Sequence, residues 1–167
     1  MGLFNWLFGR PTPDRQPLTT ESLGPMLHSM GYVHRPNEIG FVISIVRAEW
    51  ETIIQLGVNP DGKRVWLFAN LCHIPDLQQV KAPILRRVLQ ETWACAPVHF
   101  AVHSMNDHSN LYLQRALDNR GITPVRLRKA IEEFDDVIRR TVPIWDPRNF
   151  GPPPAGPDTS FTAVPPV

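Results

Sequence analysis

The chain has 167 residues, with 17 Lys and Arg against 16 Asp and Glu, a net charge of +1, and 43% hydrophobic residues. That length supports one domain with a core of its own. The near balance of charge excludes the strong field that draws proteins to nucleic acid or to acidic substrates.

The first ten residues carry Leu3, Phe4, Trp6, Leu7 and Phe8. They are too few and too polar for a secretory signal, and no run of the chain approaches the ~20 apolar residues of a membrane span. The cytoplasm is the expected compartment. The five apolar side chains form a tip that can lie on a membrane surface or dock on the domain. Pro11, Pro13 and Pro17 make the following stretch a linker, because proline blocks regular helix and central strand. Residues 1–17 are therefore expected to stand outside the domain, residues 18–145 to form it, and residues 146–167 to be a disordered Pro-rich tail.

A first helix is expected from Thr20 to Met30, where Leu23, Met26, Leu27 and Met30 make one apolar stripe. Its start is ambiguous. With Ser22 as the cap, Pro25 falls in the first turn; with Thr19 as the cap, Pro25 falls inside the helix and a kink follows. Three strands come next: Phe41 to Arg47, Trp50 to Val58, and Val65 to Cys72. Asn59, Pro60, Asp61 and Gly62 form the turn of a hairpin between the last two, with Pro60 fixing φ and Gly62 free to take positive φ. Near the middle of the sheet both faces of these strands are apolar, although Trp50 to Val58 alternates less cleanly. An antiparallel sheet with one face in water alternates apolar and polar residues, so something must cover each face: helices on one, and a second subunit, a tail or a client on the other.

After the strands, Asp76 is expected to cap a helical turn at Leu77 to Val80, with Gln79 reaching back. Pro83 starts a second helix whose apolar stripe is Ile84, Leu85, Val88, Leu89 and Thr92. Val98, Phe100 and Val102 alternate as a strand, residues 104–110 form a loop, and Leu111 to Leu117 return as its partner. Thr123 caps a third helix with Pro124 at its first position. Leu127, Ala130, Ile131, Phe134 and Ile138 form its buried face.

Little here suggests chemistry. Cys72 and Cys95 match no metal or redox spacing and read as buried, reduced thiols. His103, Asp107 and His108 are a metal candidate that needs a third or fourth ligand and supporting groups; His73 or His99 could supply a ligand, but nothing in the sequence fixes the geometry, and no metal is expected. Glu132, Glu133, Asp135 and Asp136 read as a solvated helix face paired with Arg139 and Arg140. No nucleophile elbow, Gly-rich phosphate loop or basic nucleic-acid motif is present. No cofactor is expected, and the chain reads as a non-enzyme. Trp50, Trp66 and Phe68 are the candidate partner or dimer face, with a protein client or a second copy as the occupant.

The segments MLHSMGY (26–32), VWLFANLCHIP (65–75), PILRRVLQETW (83–93), VHFAV (98–102) and ITPVRLRKAIEEFDDVI (122–138) resemble those of the YbjN-like bacterial family and the type III secretion chaperone-like fold. The resemblance implies an α+β fold, an antiparallel sheet of about five strands in the order α-βββ-α-ββ-α. It also implies a small, non-catalytic and often dimeric protein that binds extended client segments or serves in regulation, and it carries over no catalytic residues.

Overall fold

The chain enters the fold at a side-chain clamp. The computed structural model describes residues 16–48, 50–105 and 108–150, with the backbone alone at Met105 and His108. The apolar tip at Leu3 to Phe8 and the tail from residue 151 lie outside the described residues. At the entry, Leu18 donates its N–H to Asn119 Oδ1 at 2.9 Å, and its carbonyl accepts from Asn119 Nδ2 at 2.8 Å. Two residues on, the first helix begins. It is α1, Thr20–Ser29, capped by Thr19 in a reciprocal box with Ser22. Of the two starts read from sequence, the Thr19 cap is the one formed, and Pro25 lies inside the helix.

Four strands follow: β1 (His34–Asn37), β2 (Gly40–Arg47), β3 (Trp50–Val58) and β4 (Arg64–Ile74). A single 3-10 turn at Leu77–Gln79 is capped by Asp76, which also accepts from the Gln79 side chain. Then come α2 (Ala82–Ala94), β5 (His99–Met105), β6 (His108–Asp118), α3 (Pro124–Arg140) and the short α4 (Val142–Trp145). All six strands pair antiparallel in one sheet, in the order β1-β2-β3-β4-β6-β5. The fold is α+β, with six strands where about five were expected. The extra one is β1, His-Arg-Pro-Asn, which has no apolar residue to mark it. Pro36 is tolerated there because β1 is an edge strand and need not donate on its free side.

The helices gather on one face of the sheet. Gly24 of α1 lies against the Phe41 ring of β2. Asp135 of α3 bonds to Thr52 of β3, and Arg115 of β6 donates to the Ala130 carbonyl of α3. Between the layers lie Ile43, Ile54, Leu56, Leu67, Leu111, Leu113, Leu127, Ile131, Phe134 and Trp145, all buried. Packing continues past Trp145: Pro147–Asn149 form a 3-10 turn and Phe150 is buried in the same core. Arg128 ties α3 to the end of α1 by a 2.8 Å bond to the Met30 carbonyl.

Three expectations are corrected. The α2 stripe is only partly used: Val88 is buried, while Leu85 and Leu89 are exposed, as is Trp93 at 87%. Val102 is also exposed, because β5 is the outer strand. Asp135 is not on a solvated face but fully buried, between Thr52, Arg47 and Arg139. Its neighbours Glu132, Glu133 and Asp136 are exposed as expected.

Candidate functional site

Strand pairing fixes what stands beside what on the sheet's second face. On β4, Val65, Leu67 and Ala69 point to the helices and are buried. Their alternates, Trp66, Phe68 and Asn70, therefore point the other way. Trp66 and Phe68 stack, with ring centroids 5.6 Å apart and planes 15° from parallel. β4 lies between β3 and β6, so this pair stands near the middle of the sheet.

The register supplies the flanks. Trp66 faces Gly57 on β3 and Ala116 on β6. Gly57 is buried, and the Ile39 carbonyl stands where a side chain at position 57 would be, so the β1–β2 turn itself occupies that flank of the indole. Phe68 faces Gln55 and Gln114, and the row continues through Val42 on one side and His99 on the other. Gln114 and His99 are joined by a 2.8 Å hydrogen bond between Nε2 atoms. Asn70 faces Tyr112, which faces Ala101. Ser44 and Ile53 pair beyond them. The result is an aromatic ridge with a low shoulder at Ala116, the Ile39 backbone against Gly57 on the other flank, and amides at its side. The charged residues of this face, Arg35, Glu51, Arg64 and Asp118, lie toward its margins. Among the described residues, no helix covers this surface.

Trp50 belongs elsewhere. It shares the phase of Thr52, on the helix side, where its indole N–H donates to Thr52 Oγ1 at 3.0 Å and its ring meets Trp145 at 6.1 Å. The structure therefore brings Trp66 and Phe68 together and separates Trp50 from them. Gly57, Ala116, Gln55 and Gln114 were not singled out from sequence. They are defined by register across three strands, which no local pattern carries.

The metal candidate is not assembled by what is described. The His103 ring sits edge-on to Tyr112 at 5.1 Å, and Asp107 and the side chain of His108 lie outside the described residues. Among the described residues, no group of three or more His, Cys, Asp or Glu could hold a metal ion. Cys72 and Cys95 are free and buried. Burial, with help from the Asp146 carboxylate, pushes the Cys72 thiol up to about 12. It is a protonated core residue at neutral pH, not a nucleophile.

No family model and no curated protein matches the chain. Solved structures do. A chain of the ExsC–ExsE complex superposes with a TM-score of 0.50 at 14% identity, covering 75% of this chain and 94% of that one. YbjN from E. coli gives 0.49 at 11%, covering 75% and 94%. A chain of the HopA1–SchA chaperone–effector complex gives 0.47 at 8%, covering 70% and 86%. At such identities the likeness is one of fold. The fold shared with the chain of the ExsC–ExsE complex is α+β, here with a six-stranded antiparallel sheet.

Proposed function

We propose that the protein is a non-catalytic protein-binding module, chaperone-like or adaptor, which receives an apolar segment of another protein on the second face of its sheet. The observation that carries this reading is the Trp66–Phe68 stack near the middle of a sheet whose helices pack on the other side. A chain of the same fold is found in a complex of two proteins, ExsC with ExsE, which supports a protein as the class of partner.

The energetics suit the task. Burying an aromatic side chain contributes roughly 2–3 kcal/mol, and anchors of this kind dominate interfaces when rimmed by groups that exclude water. The small side chain of Ala116 leaves room for a partner's side chain on the β6 flank of Trp66, while the Ile39 backbone fills the Gly57 flank. The half-buried amides of Gln55 and Gln114, either side of Phe68, offer hydrogen-bonding groups to an extended backbone. A second copy of the chain could bury the same face symmetrically. Two free, buried thiols are in keeping with a reducing compartment such as the cytoplasm.

The test uses Trp66→Glu and Phe68→Glu in the full chain. Both variants should keep the native far-UV circular dichroism and lose either a stoichiometric partner captured from lysate of the protein's own source or a dimer seen by light scattering. Retention of both associations, or unfolding of both variants, would overturn the reading.

A further inference from the structure

The end of the second face beside Trp66 carries a surplus of positive charge. Arg64 stands two positions from Trp66 on the same face of β4, and the register sets Asp118 of β6 opposite it, as it sets Ala116 opposite Trp66. Cross-strand neighbours of opposite charge ordinarily pair. Here they do not, because Arg120 takes the carboxylate: its Nε lies 3.1 Å from each Asp118 oxygen, and its Nη2 lies 2.7 Å from Oδ2. Lys63 is answered by Asp61 at 3.9 Å. The exposed Arg64 guanidinium has no hydrogen-bond or ion-pair partner among the described residues. With Ala116 and Arg120 it lines a recess at the end of the sheet. Arg126, which donates to the Arg120 carbonyl at 3.5 Å, adds a further positive charge at this end.

We propose that the partner segment is acidic as well as apolar: it seats a large apolar side chain against Trp66, in the room above Ala116, and places the carboxylate of an Asp or Glu two positions away on Arg64. The inference rests on the reading of the second face as a protein-binding surface, and names the partner chemistry which that face selects.

Spacing and charge both point to that chemistry. Alternate side chains of a strand fall on one face, about 6.6 Å apart. Arg64 and Trp66 share that repeat, and so do residues two apart in an extended segment laid along β4. An apolar residue and an acid at that spacing therefore meet Trp66 and Arg64 in register. A guanidinium presents its N–H groups as a planar fork that matches a carboxylate bidentately. The other charges of the face favour the same sign of partner. Arg35 is a second cation without a partner among the described residues. Glu51 accepts from the Ser44 hydroxyl, and Asp118 is held by Arg120. Among the described residues the face thus offers unengaged cations and no unengaged carboxylate, so a basic segment would find no counter-charge there.

The experiment selects random dodecapeptides displayed on phage against the full chain, against Arg64→Glu and against Trp66→Ser, with the fold of each checked by far-UV circular dichroism. The unaltered chain should enrich a large apolar residue with Asp or Glu two positions away. Arg64→Glu should keep the apolar residue and exchange the acid for Lys or Arg, and Trp66→Ser should lose the enrichment. For the best peptide, made synthetically, Arg64→Ala should weaken binding roughly 3–5-fold at low salt and flatten its salt dependence. Apolar enrichment without the acid, acid enrichment unchanged in Arg64→Glu, or no enriched peptide would overturn the proposal. The two readings fail separately. Apolar enrichment without the acid that is lost in Trp66→Ser removes the acidic partner and leaves the binding face. Acid enrichment that follows Arg64 but is indifferent to Trp66→Ser removes the binding face, and with it the paired recognition; unfolding of Trp66→Ser would do the same.

Discussion

The hydroxyl of Thr52 on β3 donates a 2.6 Å hydrogen bond to the carboxylate of Asp135 on α3, and both residues are buried. The other carboxylate oxygen faces Arg47 Nε at 3.1 Å and Arg139 Nε at 3.4 Å. Trp50 extends the chain of contacts by donating to Thr52. One buried charge thus fixes α3 against the β2–β3 hairpin, with geometry that an apolar contact would leave free.

Asp135→Ala should destabilise the protein by about 2–3 kcal/mol, measured by urea unfolding. Removing one partner of a fully buried ion pair costs about 3–5 kcal/mol. The value here is lower because the side chains of Arg47 and Arg139 are 48% and 34% exposed and keep access to water. The cost should persist in high salt, since a buried pair is screened little. A loss below about 0.5 kcal/mol, or one abolished by salt, would contradict this account.

The burial of Asp135 also shows where the sequence stops informing. α3 is legible because its cap, its N1 proline and its apolar stripe agree, and helix and cap form as read. Nothing local says that one of four acids faces inward, because its partners Arg47 and Thr52 lie more than eighty positions away. The apolar character of both sheet faces was legible at β2–β4. Which residues flank Trp66 was not, because β6 joins β4 only after α2 and β5. For α2, the stripe is wider than the surface it meets. An outer strand leaves half of such a stripe uncovered, and which half depends on tertiary placement rather than period.

Asn119→Ala should loosen the entry clamp. The substitution leaves the Leu18 N–H and carbonyl and the Gly62 carbonyl without their partner. With roughly 1 kcal/mol per hydrogen bond, and more where a group is left buried and unpaired, the expected cost is about 2–4 kcal/mol. Hydrogen exchange should speed first at the start of α1. Asn119→Asp should behave similarly, since a carboxylate cannot donate to the two carbonyls. Unchanged stability in both variants would contradict the clamp.

Cys72 gives a pH dependence of known sign. Its folded-state pKa, raised by burial and by Asp146 to about 12, lies above the unfolded value of about 9. The folded chain therefore holds a proton that the unfolded chain gives up. Stability from this source is complete below pH 9 and declines as pH rises from 9 toward 12. Alkylation by iodoacetamide at pH 8.5 should be roughly 100-fold or more slower at native Cys72 than in urea. Equal rates in the two conditions would contradict its burial as a protonated thiol.

The proposed role of Trp66 and Phe68 is to serve a partner and not the core. Adjacent residues on one strand test it most directly: Leu67 is fully buried beneath the helices, while Trp66 is half-buried on the other face. Urea unfolding of the full chain, of Leu67→Ala and of Trp66→Ser is the decisive measurement. Leu67→Ala should lose about 2–5 kcal/mol, as other core truncations do, and Trp66→Ser less than about 1.5 kcal/mol. Equal losses at the two positions would make Trp66 a second core residue and remove the case for a binding face.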